Sequence, residues 1–483
     1  MRVQLNKVCF GLPMKSFFMD YTVSKKRELP VVKEFVIRLI HTLSSTTLDT
    51  IQDYFGLTNK EILAIVDDLQ EENLIEWAEG KVKLTFYAMS KFTEEDGNLR
   101  PTFFEVTDET SPVEFELYSF RILSSDVRRS GSQDFNISLN LPDECYRNLL
   151  NKAQSAFDTN FNLFRELVLK EDVFSEIKEL YKINQVTDRY DSTLPLEVEY
   201  FIDTESPNTL RMEYASKTVD EWDEDKSFFS IMDSTIEVNT MKDQHDSFNN
   251  YLAASNDPLL IQYWDDNART LNIKALVNHY EHGVAKINDD TFMLLGNFYT
   301  ENNREMLSYR IKSEFKDKPE SSGLIWLTNS ESKTWGKTTD LNKLIDEIYS
   351  LFDKRKSTSK VVLGMACKSF QESIALSNNF WKLSNTELMD FPTQYGGEDA
   401  EFLIIPGVMV ASLFHFQLND KRGVSLPVGY VSFEKKIISE ISENLLNWAI
   451  LQPRYNDYFE KKGVKEEHKV RNKYLIPILQ QNL

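Results

Sequence analysis

Two segments of this chain share one frame. His282 is followed by a polar turn (Asn288, Asp289, Asp290), an apolar run ending at Leu295, and then Gly296-Asn297. His415 is followed by a polar turn ending in Arg422, an apolar run ending at Val428, and then Gly429. In both, the glycine lies 14 residues after the histidine (296 − 282 and 429 − 415). A polar turn and then an apolar run of strand length predicts a strand that ends at the glycine. The histidines stand 133 residues apart (415 − 282), a separation suited to one lobe following another.

The residues around these frames alternate between strand and helix patterns. Leu196–Asp203 and Leu210–Tyr214 alternate in polarity and predict neighbouring strands. Leu259–Tyr263 and Ile273–Val277 are apolar runs that suit buried strands. A second set begins at Leu324–Thr328, a strand, and continues with an amphipathic helix over Asp340–Phe352. Strands at Val361–Met365, Phe402–Ile405 and Val408–Phe414 follow, then a helix over Phe433–Leu451. Pro319–Gly323 reads as a linker between two lobes. The order predicts an α/β class.

The N-terminal part differs. Val31–Leu43 puts Val32, Phe35, Val36, Leu39 and Ile40 on one helical face. Ser45-Thr46-Thr47 can cap a second helix, Gly56 breaks it, and Thr58 opens a third over Asn59–Glu72. Leu74–Trp77 and Lys81–Leu84 flank Glu79-Gly80 as a hairpin. Three helices and a hairpin are the winged-helix pattern. Base-reading helices need Arg, Lys, Asn or Gln outward, whereas the third helix carries Glu61, Asp67, Asp68, Glu71 and Glu72 against Lys60. That favours a protein-docking or structural module over a DNA reader. Pro112–Ile122 predicts a strand, and Pro142–Asn184 predicts helix throughout, as a mainly helical linker region.

With 483 residues, two to four domains are expected. The boundaries read as 1–90 winged helix, 91–190 linker domain, 191–318 first lobe, 319–452 second lobe and 453–483 a basic tail. No apolar run approaches the ~20 residues of a membrane span. Met1–Pro30 lacks the continuous apolar stretch of a signal peptide. Cys9, Cys145 and Cys367 are few and far apart, which implies free thiols in a reducing cytoplasm and no metal site. A net charge of −21 opposes broad nucleic-acid binding. The acidic run Glu221–Asp225 reads as a solvated loop. The basic tail (Lys461 to Lys473) is the best electrostatic candidate for an acidic partner. No Walker A loop, glycine-rich nucleotide loop or zinc motif occurs, and no cofactor is expected.

The paired histidine frames resemble those of the phospholipase D-like superfamily, whose motif runs His-x-Lys, then an aspartate, then a strand ending in Gly-Ser/Asn. The first frame keeps His282, Asp289, Gly296 and Asn297, with Val284 at the lysine position. The second keeps His415 and Gly429, with Gln417 at the lysine position and Arg422 at the aspartate position. The resemblance implies a bilobal α/β sandwich over about residues 190–450. It implies His282 and His415 as nucleophile and general acid, Asp289 as an orienting group, and Asn297 with Arg422 or Lys286 as phosphate-binding groups. Loss of the lysines removes charge stabilisation worth several kcal/mol. The resulting expectation is a non-catalytic or weakly catalytic component of a bacterial multi-protein system, of the kind seen in anti-phage defence, that binds a protein partner or nucleic acid. The alternatives are an active phosphodiesterase (a nuclease), or a winged-helix scaffold or regulator in which the frames are coincidence.

Overall fold

The computed structural model describes residues 1–95, 98–124, 136–172, 178–215, 226–237, 243–267, 269–315, 323–328, 332–352, 360–380, 383, 385–418, 422–451 and 475–480. It is a mixed α/β protein with two compact units. One comprises Met14–Arg128 and Asp143–Ser192; the other comprises Met1–Pro13, Arg129–Pro142 and Thr193–Leu483. This division departs from the sequence-based blocks, because the first 13 residues belong with the C-terminal body. Among the described residues, no helix is long and apolar enough to cross a membrane.

The smaller unit is built on strand β1 (Arg2–Arg27) from Met14 onward. Helices α1 (Val31–Leu43), α2 (Leu48–Phe55) and α3 (Asn59–Glu71) follow, then the hairpin β2 (Ile75–Ala78) and β3 (Lys81–Leu84). The local chemistry is explicit. The Thr47 hydroxyl caps α2, and Thr58 with Glu61 forms a capping box on α3. Glu79 and Gly80 turn the hairpin with φ of 52° and 76°, the double left-handed conformation of tight hairpin turns. Val36, Ile40, Ile62, Val66, Leu69 and Val82 close one core. A short helix α4 (Phe86–Met89) leads to strands β4 (Phe92–Glu95), β5 (Asn98–Pro101) and β6 (Phe103–Glu116).

β6 pairs antiparallel with β1, Phe17 opposite Val113 and Tyr21 opposite Glu109. The inward ring of Tyr21 meets Phe157, Phe161 and Phe164, which come from α5 (Leu149–Thr159) and α6 (Phe161–Phe164). The expected mainly helical region is therefore corrected. Helix ends at Leu169, and Lys178–Asp203 is a 26-residue strand. Leu180 and Ile183 have helical spacing, but the partner strand decides, since sheet pairing overrides local preference.

The larger unit contains β7 (Asn136–Ser138), which pairs parallel with Cys9–Gly11. The end of β8 (Lys178–Asp203) pairs with β9 (Ser206–Tyr214). Helices α7 (Lys226–Ile236) and α8 (His245–Ser255), the two-residue strands β10 (Trp264–Asp265) and β11 (Thr270–Leu271), and α9 (Ile273–Glu281) follow. Two expected strands are thus corrected. Leu260–Tyr263 is a single 3-10 turn. Residues 273–277 open a helix, because the Asn272 side chain accepts from Ala275 N–H and caps it.

The body of this unit is one seven-stranded sheet. Its members are β12 (Thr291–Leu295), β13 (Gly323–Thr328), β14 (Lys360–Ala366), β15 (Thr386–Phe391), β16 (Ala400–Ile405), β17 (Met409–Gln417) and β18 (Ser425–Ser432). Their order is β12-β18-β17-β16-β13-β14-β15. β13, β14 and β15 run parallel, joined through α11 (Thr339–Tyr349) and α12 (Phe370–Phe380), as parallel neighbours require a crossover. The remaining pairs are antiparallel. The two expected lobes are therefore not separate, since β12 from the first joins strands of the second. One face buries Leu294, Trp326, Leu363, Leu403 and Leu413 with α10 (Glu301–Phe315) and α11. The other carries Phe402 and Phe414 against Phe248 and Tyr251 of α8, and Tyr430 O–H donates to Ser255 O of the same helix at 2.6 Å. Helices α13 (Lys435–Leu451) and α14 (Leu475–Gln480) pack together beside the sheet. Glu221–Asp225, residues 319–322, Asp420 and the basic residues 461–473 lie outside the described residues.

Both framed glycines sit where backbones touch. A Cβ on Gly429 would lie 2.0 Å from Ser412 O, and one on Gly296 would lie 2.3 Å from Gln4 O at a φ of +90°. Gly429→Ala and Gly296→Ala should each destabilise the protein by about 1–3 kcal/mol, since neither neighbour is a side chain that can rotate away. Urea unfolding checks this, and midpoints within error of wild type would remove the argument.

Lys7 bridges this unit internally, 2.9 Å from Glu197 and 3.3 Å from Asp340, while Lys343 donates to Asp340 at 2.6 Å. Burial pushes the Asp340 carboxyl up, but Lys343 and Lys7 outweigh it and hold it below its usual value. A depressed folded pKa gives stability that is present above the unfolded value of about 3.9 and is lost as pH falls through the folded one. Asp340→Asn should flatten the stability-against-pH curve below about pH 4, as read by denaturation at stepped pH.

Candidate functional site

The turn and the strand of the first frame, but not His282 or Asn297, line a groove. Lys286 bridges to Phe292 across a short turn, and the Lys286 ammonium bonds Asp289 at 2.8 Å. That hydrogen bond holds the Asp289 carboxyl below its usual range. Gly283, Lys286 and Asp289 line a groove of about 560 Å³ together with Tyr280, Phe292 and Met306. His282 is exposed at the end of α9, where Nδ1–H donates to Asn278 O at 2.8 Å. Val284, at the lysine position, is 62% exposed. Asn297 is buried, and its side-chain N–H₂ and backbone N–H both donate to Leu5 O, at 3.1 and 2.9 Å. It fastens β1 to β12 and turns no donor toward the groove.

The second frame is arranged differently. His415 lies on β17, 2% exposed. Its Nε2 is 2.6 Å from Glu401 Oε2, and its Nδ1 is 3.0 Å from Ser425 Oγ. Glu401, on β16, has no exposed surface. Its other oxygen accepts the indole N–H of Trp326 at 2.7 Å and of Trp335 at 2.9 Å. A carboxylate only accepts and an indole only donates, so Nε2 carries the hydrogen toward Glu401. In the neutral ring Nδ1 is then the acceptor for the Ser425 hydroxyl. Gln244 fixes the strand from outside, donating to His415 O and accepting from Gln417 N–H. Arg422, three residues before Ser425, donates to Leu210 O at 2.9 Å.

The register places the two frames apart. Thr291, Ser432 and Val410 share one level of the sheet. The turn with Lys286 and Asp289 is at that end, while His415 lies five residues along β17 (415 − 410), about 17 Å away at ~3.4 Å per residue. His282 is exposed and His415 is sealed, so the imidazoles do not share a phosphate. The structure brings together Lys286 with Asp289, and His415 with Glu401 and Ser425. It does not bring together His282 with His415, or Arg422 or Asn297 with either.

The sequence reading missed Glu401, Trp326, Trp335 and Ser425. One signal was available: Glu401 interrupts the apolar strand Ala400–Ile405, and a lone acid in such a run needs buried donors. Across the sheet a second sealed network forms, in which Tyr251 O–H donates to Asp257 at 2.7 Å. Burial raises the Asp257 carboxyl, although Leu259 and Leu260 N–H groups also donate to it. Among the described residues no cluster of three or more His, Cys, Asp or Glu could hold a metal ion. Cys9, Cys145 and Cys367 are free and buried.

No protein family is matched by this chain, and no curated protein is either. Among solved structures, it is similar to TrmBL2, an archaeal chromatin protein that shows a novel mode of DNA binding. The match has 13% identity over 39% of this chain and 59% of that one, with a TM-score of 0.20. It is also similar to NucT from Helicobacter pylori, with 13% identity over 32% of this chain and 94% of that one, and a TM-score of 0.19. Superpositions this loose assign neither a fold nor a function.

Glu401→Ala should cost about 3–5 kcal/mol, because it strands two indoles and an imidazole in the core. Lys286→Ala, which removes an exposed pair, should cost under about 1 kcal/mol. Equal effects of the two in chemical denaturation would show that the buried network is not what holds β16 to β17.

Proposed function

We propose that this chain, whose histidine frames resemble the phospholipase D-like pattern, has no phosphodiesterase activity and acts by binding a protein partner. One observation carries this reading: both ring nitrogens of His415 are engaged inside the protein, at 2.6 Å to Glu401 and 3.0 Å to Ser425. A histidine nucleophile needs one nitrogen free to reach phosphorus. The supporting cation is missing as well, since Gln417 and Val284 occupy the lysine positions and Lys286 is tied to Asp289. Without such a group, the charge of a phosphoryl transition state is unsupported.

We read α1–α3 with β2 and β3 as a winged helix, and the docking surface as protein-directed. Asp67, Asp68 and Glu71 stand exposed on α3, and the wing's Lys83 is bonded to Glu76 at 3.0 Å. Such a face repels a phosphate backbone. Phe86 is 85% exposed and Val31 68%, apolar surface of the kind partners cover. Cytoplasmic work within a bacterial multi-protein system, anti-phage defence included, is the setting this reading suggests.

The test pairs two measurements. Hydrolysis of bis(p-nitrophenyl) phosphate and of a labelled oligonucleotide should equal the buffer rate for wild type and for His282→Ala. Turnover by wild type that His282→Ala or His415→Ala abolishes would overturn the proposal. Anisotropy with a 30-bp duplex should show no binding near 150 mM salt, while submicromolar binding would make the module a DNA reader.

A further inference from the structure

The two bonds that disqualify His415 as a nucleophile are the two that a general base needs. We propose that Ser425, His415 and Glu401 form an acyl-transfer centre, with Ser425 as nucleophile and an uncharged carboxylic ester as substrate. The proposal goes beyond the binding reading and does not depend on which partner the N-terminal module docks.

The geometry is that of a relay graded from surface to core. Ser425 is half-buried at the start of β18, His415 is 2% exposed, and Glu401 has no exposed surface. Ser425 Oγ lies 3.0 Å from Nδ1, and Nε2 lies 2.6 Å from Glu401. Nucleophile, base and orienting acid within hydrogen-bond reach is the arrangement that activates a serine hydroxyl. The base nitrogen here is Nδ1, and either nitrogen serves when a carboxylate holds the hydrogen of the other. The indole N–H groups of Trp326 and Trp335 fix Glu401 from behind. A fourth group completes the set. Gln417 is the register partner of Ser425, so the two side chains leave the sheet on one face with their Cβ atoms about 5 Å apart. A glutamine amide is a recognised oxyanion donor. Among the described residues around Ser425, Glu401 is sealed and Arg422 donates to Leu210 O, and it is to this charge arrangement that an uncharged ester is matched.

The chemistry balances without a cofactor. Ser425 Oγ bonds to the ester carbonyl carbon as its proton passes to His415 Nδ1, and the carbonyl π pair moves to the oxygen facing Gln417. Collapse breaks the bond to the leaving alkoxide, which takes the proton from Nδ1 and departs as alcohol. Water repeats the sequence, releasing the carboxylic acid and restoring Ser425. Glu401 accepts from Nε2–H throughout and is not consumed.

An alkyl fluorophosphonate tests this on the full chain, read by intact mass and peptide mapping. We expect one adduct, on Ser425, and none on Ser425→Ala. His415→Gln should slow labelling by about 10²–10⁴-fold, and Gln417→Ala by about 10²–10³-fold. Wild type that stays unlabelled with a native near-UV circular dichroism spectrum overturns the proposal, as does an adduct that persists in Ser425→Ala. Should His415→Gln fail to fold, Ser425→Cys gives a second reading. Its alkylation by iodoacetamide should rise with an inflection well below the ~8.5 of a free thiol, and an inflection at or above that value overturns the proposal equally. Phosphodiester hydrolysis is scored separately, so either idea can fail alone.

Discussion

A carboxylate with no solvent contact must be surrounded by donors, or it will not stay charged and folded. Glu401 satisfies that demand with three N–H groups, from Trp326 on β13, Trp335 after it, and His415 on β17. The three donors come from three separate stretches of chain. Packing of Trp326 against Trp335, with ring centroids 5.6 Å apart, follows from both indoles aiming at one oxygen. Tyr299 then packs on both indoles and accepts Gly336 N–H at its hydroxyl. A polar atom therefore organises the most aromatic part of the core, because only one arrangement of the rings satisfies it.

Much of this fold was legible and some of it was not, for physical reasons. Strands β13, β14, β16 and β17 are mostly apolar runs, and helix α11 has a clear apolar stripe, so period and length identified them. The hairpin of β2 and β3 was legible from Glu79-Gly80. β1 was missed because Lys7 and Lys15 interrupt it. Each finds carboxylates nearby, Lys7 with Glu197 and Asp340, Lys15 with Asp188 and Asp191. Pairing of that sort depends on residues far along the chain and leaves no local trace. Only the first part of β8 was missed: Leu196–Asp203 alternates and was read as a strand, whereas the residues from Lys178 are mostly exposed and carry no such alternation.

The candidate site shows the same limits. The frames located His415, Gly296 and Gly429, and all three are structurally committed. The glycines are held by backbone approach, a need that spacing alone can reveal. The partners of His415 were invisible, since Trp326 and Trp335 look like ordinary core residues. The assumption of a shared phosphate failed because equal spacing in sequence says nothing about which end of a sheet each histidine occupies.

The order of strands has a consequence for how the chain is made. β12 is the first strand of the large sheet to leave the ribosome, yet it pairs with β18, the last, with Leu294 opposite Gly429 across 135 residues (429 − 294). Loop closure over such a span comes late. Until β18 is synthesised, the apolar edge Thr291–Leu295 has no partner strand on that side, and unpaired edges of this kind recruit other chains. The nascent protein thus carries an adhesive edge for the time it takes to translate a whole domain.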